Sequence, residues 1–224
     1  MIKSSLSQYR VDNVPLILRP IFYLYGYGVA ILLFIGCLIL RKMIKVEISG
    51  LENLRKHANY IFCFWHTFVP LGLISSLPSI PRTFDRASHA WMQHPSWYMK
   101  AIHVVLRLMG VDKIILGSTG HSGREAANQL VDYLRRVYST LLMPDGPDGP
   151  PYILKKGILH ISMKSGIPIV AIQFNASKFF ELKTWDRKKW PYPFSTVKMK
   201  ITAPIQITSD NLNEAQKRIT AALS

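Results

Sequence analysis

The feature that most constrains this chain is a run of 21 residues with no charged side chain, Pro20–Leu40. At about 1.5 Å per residue, a helix of this length measures about 30 Å, the thickness of a bilayer's hydrocarbon core. Aromatic residues near one end and basic residues at the other are typical of membrane interfaces. Here they are Tyr23, Tyr25 and Tyr27, and Arg41, Lys42 and Lys45. The run predicts a membrane anchor over residues 1–45, which leaves 46–224 for one further domain.

Two alternatives for this run concern its processing and its shape. A cleaved signal peptide has a shorter apolar region followed by small residues, whereas Arg-Lys-Met-Ile-Lys follows here and disfavours cleavage. A membrane-spanning helix and a re-entrant hairpin both stay open, because Pro20, Gly26, Gly28 and Gly36 are compatible with a bend.

The chain is strongly basic, with 28 Lys and Arg against 13 Asp and Glu and a formal net charge of +15. This charge favours a polyanionic partner, either nucleic acid or an anionic membrane. The apolar run favours the membrane, and no nucleic-acid-binding motif is recognisable. We therefore expect anionic membrane lipid as a partner and no nucleic acid. We also expect location at the inner (cytoplasmic) membrane, with residues 46–224 facing the cytoplasm.

No metal or disulfide chemistry is indicated by the sequence. Cys37 and Cys63 both lie in apolar runs and are too few for a disulfide framework or a four-cysteine zinc site. His89, His94 and His103 share no ligand-like spacing with a carboxylate. We expect no metal ion.

Strand-like and helix-like segments alternate after the anchor, which predicts an α/β fold with a mixed or largely parallel sheet flanked by helices. Predicted strands are 46–54 (with a turn), 60–65, 83–88, 112–116, 140–143, 168–175 and 197–203. Predicted helices are 67–77, 96–109, 124–138, 156–165 and 211–223. The helix over 124–138 has the clearest apolar stripe, formed by Ala127, Leu130, Val131, Leu134 and Val137, and Ser122 is its expected N-cap.

Three predicted strands end in loops with chemically useful residues. His66 follows YIFCFW, the loop GSTGHSGRE follows DKIIL, and PDGPDGPP follows TLLM. Ligands of open α/β sheets bind at the carboxyl ends of strands. A histidine, a glycine-rich basic loop and a carboxylate in this crevice suit acyl transfer to a hydroxyl. The imidazole takes the proton, at a gain of about 10²–10⁴-fold, and backbone donors hold the oxyanion.

A series of motifs resembles the lysophospholipid acyltransferase superfamily, which includes glycerolphosphate acyltransferases, and within it the divergent branch similar to lipid A secondary acyltransferases. The ordered matches cover residues 14–207. They are FWH at 64–66, GSTGHSGREA at 117–126, MPDGP at 143–147, KKG at 155–157, GIPIVAI at 166–172, and LKTWDR with PYPFS at 182–187 and 191–195.

The resemblance implies a membrane-associated O-acyltransferase of phospholipid or lipid A biosynthesis. His66 would be the general base and Asp145 the acidic residue of the family's Pro-acid-Gly motif. The acyl donor would be an acyl carrier protein or coenzyme A thioester, and the acceptor a lysophospholipid or a lipid A precursor. The resemblance implies no metal and no organic cofactor. Substrate-binding positions would be Gly123, Arg124, Gly146, Lys155, Lys156, Trp185, Asp186 and Arg187, with Arg124 near the family's phosphate-binding arginine. For TWDRKKW, at 184–190, contact with the membrane interface is the preferred interpretation from the residues themselves.

Two departures from the family pattern bear on activity. The superfamily's His-x-x-x-x-Asp motif would place an aspartate at Leu71, so the imidazole's partner must come from elsewhere. Asp85, Asp145 and Asp186 are the candidates. The branch usually has a basic residue where this chain has Asp148, which we interpret as a turn residue. The alternative function is a catalytically inactive membrane lipid-binding protein that keeps the fold.

Overall fold

The computed structural model describes residues 9–55, 58–118 and 120–223, so Met1–Gln8 of the predicted anchor and Thr119 of the glycine-rich loop lie outside it. The strands are β1 (Lys45–Ser49), β2 (Ile61–Cys63), β3 (Ser88–Gln93), β4 (Lys113–Leu116), β5 (Tyr138–Leu142), β6 (Ile169–Ala176), β7 (Phe179–Glu181), β8 (Lys189–Pro191) and β9 (Thr196–Ile201). The helices are α1 (Arg19–Met43), α2 (Val69–Ser75), α3 (Ile80–Thr83), α4 (Lys100–Leu108), α5 (Gly123–Arg135), α6 (Gly157–Ser165) and α7 (Leu212–Leu223).

Seven strands form one sheet in the order β1-β9-β6-β2-β5-β3-β4, and β7 pairs with β8 in a separate hairpin. Every pair in the large sheet is parallel except β6 with β9. The central strands β2 and β6 are buried almost throughout, as expected for strands covered on both faces. Helix α5 packs on α6 and across β3, β4 and β5, and α7 packs on β6. The predicted fold class, a largely parallel α/β sheet flanked by helices with an N-terminal apolar helix, is confirmed.

Helix α1 is one continuous helix, so the re-entrant hairpin is not the shape this segment adopts. Pro20 occupies its first turn, where a missing N–H costs nothing, and Arg41 and Lys42 lie in its last turn beside the helix dipole's negative end. By length and composition, the helical segment Leu16–Met43 is long and apolar enough to cross a membrane, and little of it is buried.

One face of α1 packs against the α/β domain. Phe22, Gly26 and Ala30, four residues apart, are buried, and α1 contacts both α2 and α4. The ammonium group of Lys100 lies 5.4–5.8 Å from the ring centroids of three α1 aromatics, Phe22, Tyr23 and Tyr27. Close approach requires glycine at position 26, because a Cβ there would lie 2.3 Å from Lys100 Cγ.

Several local predictions were wrong. Residues 83–88 are not a strand: α3 ends at Thr83, the Arg86 amide closes a turn onto the Pro81 carbonyl, and β3 begins at Ser88. Helix α5 ends at Arg135, so Val137 lies in a turn with φ +65° and 57% exposure rather than on the buried stripe. Ser122 precedes α5 as expected, but its side chain makes no capping hydrogen bond.

Candidate active site

The register of β2 against β5 brings His66 and Asp145 together. These strands are parallel, and Cys63 lies opposite Leu142. His66 lies three residues after Cys63, and Asp145 lies three residues after Leu142. Both side chains therefore reach the same edge of the sheet. His66 Nδ1 lies 2.7 Å from Asp145 Oδ1. The His66 backbone N–H also points at the Asp145 carboxylate, 3.2 and 3.3 Å from its two oxygens. Residues 79 positions apart in sequence thus form one unit.

This geometry defines the tautomer of the imidazole. A buried carboxylate beside Nδ1 favours a proton on that nitrogen, which leaves Nε2 with a lone pair. Asp145 is fully buried, whereas the His66 side chain is 19% exposed and lines a cavity. In this arrangement Nε2 can accept a proton from a molecule in the cavity while Asp145 holds the ring in place.

The other candidate partners are engaged elsewhere. Leu71, at the position of the missing aspartate, is buried in the core on α2. Asp85 pairs with His89 Nε2 at 3.2 Å and accepts a hydrogen bond from Ser139. Asp186 accepts hydrogen bonds from Thr184 and Lys188. The carboxylate beside His66 is that of Asp145.

A cavity of about 640 Å³ extends from His66 into the domain, within the usual size range of small-molecule sites. Its walls are mostly apolar side chains from four elements: Val69 and Leu73 of α2, Ile102 and Leu106 of α4, Leu141 and Leu142 of β5, and Ile158 and Ile161 of α6. Four polar or charged residues of its lining are at least partly exposed, and we call their part of the lining the polar end: His66, Asp148, Lys155 and Lys188. The cavity is therefore amphipathic, and the histidine belongs to its polar end.

The Pro-Asp-Gly loop is held against the following segment. Gly146 has φ +70°, and a Cβ there would lie 2.9 Å from Lys155 Nζ. The Lys155 amide donates to the Pro144 carbonyl at 2.8 Å. Both Gly146 and Lys155 line the cavity. Lys156 is exposed, immediately precedes α6, and is not among the residues that line it.

Arg124 and Gly123 lie beside a second cavity of about 600 Å³, which is also lined by His160 and Lys164. The two cavities share Met92, Ser118, Gly157 and Ile161, so they are adjacent. Gly123 begins α5, and a Cβ there would lie 2.7 Å from the Ser118 carbonyl oxygen, which explains why glycine is needed. Arg124, Lys164 and the start of a helix make this cavity electropositive.

The loop between β7 and β8 carries Trp185, Asp186 and Arg187. The Trp185 ring lies 5.3 Å from the His66 ring and lines the first cavity. The Asp186 carbonyl accepts a hydrogen bond from Thr67 Oγ1 at 2.6 Å, which fastens the loop next to His66. Burial opposes ionisation of Asp186, but hydrogen bonds from Lys188 and Thr184 outweigh it and hold its pKa below the ordinary value. Arg187 is exposed, and among the described residues it lines neither cavity.

His94 is a cavity residue that the sequence did not identify as part of the site. Its ring centroid lies 4.8 Å from that of His121, of the glycine-rich loop, and 6.3 Å from that of Tyr98. Burial, together with the neighbouring His121, lowers the pKa of His94. No motif marks this residue, since it lies just beyond β3 and enters the site only through the fold.

The sheet order, the flanking helices and the N-terminal apolar helix define this class of fold as an acyltransferase-like α/β sandwich. The chain is similar in structure to the 1-acyl-sn-glycerophosphate acyltransferase PlsC of Thermotoga maritima, with a TM-score of 0.52 over 92% of this chain and 94% of that one. Sequence identity in that comparison is 14%, so the likeness establishes the fold. An uncharacterised protein of Rickettsia prowazekii is 26% identical over 190 residues, which are 82% of this chain and 83% of that protein. No protein-family model matches the sequence.

Proposed function

We propose that this protein is a membrane-associated O-acyltransferase that moves a fatty acyl chain from an acyl thioester to a hydroxyl of a lipid. The observation that carries the proposal is the His66–Asp145 pair at the polar end of a large apolar cavity. The structural likeness to a glycerophosphate acyltransferase supports the same reaction class.

In the proposed reaction His66 Nε2 takes the proton of the acceptor hydroxyl as its oxygen attacks the thioester carbonyl. The tetrahedral intermediate collapses, the carbon–sulfur bond breaks, and the imidazolium gives its proton to the departing thiolate. The products are an ester and a free thiol. Asp145 stabilises the imidazolium between the two proton transfers. The ammonium group of Lys155, held over Gly146, lies in the same cavity and is our candidate for stabilising the oxyanion.

The apolar part of the cavity suits the acyl chain. Each methylene group moved from water into such a cavity contributes about 0.8 kcal/mol. The cavity's polar end suits the thioester and the attacking hydroxyl, which meet at His66.

The adjacent electropositive cavity suits a phosphate. Arg124 and Lys164 supply the charge, and guanidinium groups bind phosphate through two parallel hydrogen bonds. Because the two cavities share four residues, a phosphate bound here lies close to the reacting hydroxyl. The acceptor we propose is a lysophospholipid or a lipid A precursor, and the donor is an acyl carrier protein or coenzyme A thioester.

We further propose that α1 anchors the protein on the cytoplasmic face of the inner membrane. The support is the wide apolar surface that α1 exposes: Ile21, Leu24, Leu32 and Ile39 are all more than half exposed. Both ends of α1 nevertheless lie on the domain. Tyr25 Oη donates to the Tyr98 carbonyl near one end, and the Phe194 amide donates to the Met43 carbonyl at the other. If α1 crossed the bilayer perpendicular to the membrane plane, the domain packed along it would have to enter the bilayer as well. We therefore propose that α1 lies along the membrane surface.

The reaction is tested with purified protein, a radiolabelled acyl thioester and a lysophospholipid in mixed micelles. His66→Ala should lower the rate by about 10²–10⁴-fold. His89→Ala, which removes the imidazole of a buried Asp–His pair that lines neither cavity, is the matched control, with rates compared per folded protein. If wild-type protein binds acyl lipid without turnover, or His66→Ala transfers at the wild-type rate, the proposed mechanism is wrong. Mass spectrometry of total lipids from cells with and without the protein would identify the acceptor.

A further inference from the structure

A second exposed apolar surface lies outside α1, on the β7–β8 hairpin and the turn that follows it. Phe179, Phe180, Tyr192 and Phe194 are all exposed, and Phe194 is 82% exposed. The Phe180 and Tyr192 rings lie 5.3 Å apart. We call these four exposed aromatic residues of the hairpin and its turn the hairpin patch. Exposed phenylalanines grouped in this way usually mark an interaction surface.

The hairpin patch continues the exposed surface of α1. The Phe194 amide donates to the carbonyl of Met43, the last residue of α1, at 3.0 Å. Met43 and Ile39 are themselves exposed. The end of α1 and the turn at residues 192–194 therefore lie side by side, and both carry exposed apolar side chains.

The charge around the hairpin patch is positive. Residues 178–189 contain five basic side chains against two acidic ones, a net of +3. The acidic residues are both neutralised, Asp186 by Lys188 within the domain and Glu181 by Lys189 at 3.9 Å. Lys178, Lys183 and Arg187 are exposed and project from the same hairpin. Aromatic residues surrounded by lysine and arginine are typical of surfaces that sit at the headgroup level of an anionic bilayer.

We propose that the hairpin patch is a second bilayer-contacting element, which docks on an anionic lipid surface beside α1. The inference rests on the proposed membrane association and adds where the active site lies relative to the lipid. The same hairpin carries Trp185 against His66, and Thr67 fastens its loop through the Asp186 carbonyl. Docking the hairpin places the polar end of the cavity at the lipid surface. A lipid acceptor then reaches His66 from the bilayer without passing through water.

The test uses a fluorescent label at one cysteine in full-length protein reconstituted into vesicles of phosphatidylglycerol and phosphatidylcholine. The background carries Cys37→Ser, and Cys63 is fully buried and stays unlabelled. Phe194→Cys reports on the hairpin patch. Val137→Cys is the matched control, an exposed apolar residue. It precedes β5 and so lies at the opposite edge of the sheet from residue 194, because β9 runs antiparallel to β6. Nitroxide-labelled phospholipid should remove most of the fluorescence at position 194 and leave that at position 137 unchanged.

Three outcomes separate the possibilities. If the protein floats with the vesicles but the label at position 194 is not quenched, the hairpin inference is wrong and the anchoring role of α1 stands. If the protein does not float, the proposed membrane association fails first. If the label is shielded in lipid-free detergent as protein concentration rises, the patch is a contact between two copies and the inference is overturned. Should Phe194→Cys fail to fold, Tyr192→Cys carries the same test.

Discussion

Replacing Asp145 by asparagine should remove most of the activity while leaving the fold intact. The carboxylate is fully buried and bonded to His66 Nδ1 at 2.7 Å. A charge-assisted hydrogen bond of this kind contributes about 1.5–3 kcal/mol, and each 1.36 kcal/mol in a barrier is about tenfold in rate. The loss of orientation alone therefore costs about 10–100-fold.

The tautomer adds to this loss. An asparagine amide that donates to Nδ1 forces the imidazole proton onto Nε2, where the nitrogen can no longer accept the proton of the hydroxyl. In catalytic triads the same replacement lowers kcat about 10⁴-fold. We expect kcat of Asp145→Asn to fall about 10²–10⁴-fold. KM should change little, because Asp145 itself does not line the cavity.

Initial rates with radiolabelled acyl thioester measure this effect, and the melting temperature checks the fold. Asp85→Asn is the matched control. It removes the carboxylate of a second buried Asp–His pair, Asp85 with His89, which does not line the cavity. That variant should lose stability and keep the kcat of the folded fraction. The reasoning is refuted if Asp145→Asn keeps more than about a tenth of the wild-type kcat with an unchanged melting temperature.

Three further predictions follow from particular contacts. Gly26→Val should destabilise the protein by about 1–3 kcal/mol in thermal unfolding in detergent, because its Cβ would clash with Lys100. Gly28→Val is the control and should have little effect, because position 28 has open space around it. Equal effects of the two substitutions would contradict the packing of α1. Arg124→Ala should raise KM for a phosphate-bearing acceptor about tenfold. The control Arg136→Ala, at the other end of α5, should leave KM unchanged. If Arg124→Ala lowered kcat alone, the proposed role of Arg124 in binding the acceptor would be contradicted. Burial lowers the pKa of His103 to about 4, so protonation of this imidazole favours the unfolded chain. The free energy of unfolding should therefore fall by up to about 3 kcal/mol as pH drops from 6.5 to 4. His103→Leu should flatten this dependence in thermal unfolding, and a dependence equal to that of His160→Leu would contradict it.

Much of the fold followed from local pattern. The alternation of apolar strands with amphipathic helices predicted the class of fold, and most predicted elements exist with shifted ends. The failures lie where tertiary contacts decide. The Thr83–Ser88 segment has strand-like residues, yet Pro81 and the Arg86 turn fold it back. No strand was predicted for the β7–β8 hairpin, because strands of three residues are too short to show a periodic pattern.

The site shows a similar division. His66 and Asp145 were both proposed from ordered motifs, and the structure brings them into hydrogen-bond contact. The sequence left Asp85, Asp145 and Asp186 open as partners of His66, because only distances in the folded structure show which carboxylate contacts the imidazole. His94 carried no sequence signal, and Asp186 has its carboxylate turned to Thr184 and Lys188 instead of the cavity.

The sequence by itself determined that a long apolar helix precedes an α/β domain, since hydropathy and periodicity are local properties of a chain. It also determined which residue types are available after each strand. Only the tertiary structure decided that Cys63 lies opposite Leu142, and from that register comes the contact of His66 with Asp145. Only the tertiary structure, likewise, laid α1 along the domain and joined its end to Phe194. The physical reason is that both contacts join residues far apart in the chain. Such contacts depend on how the whole core packs, which no local sequence pattern specifies.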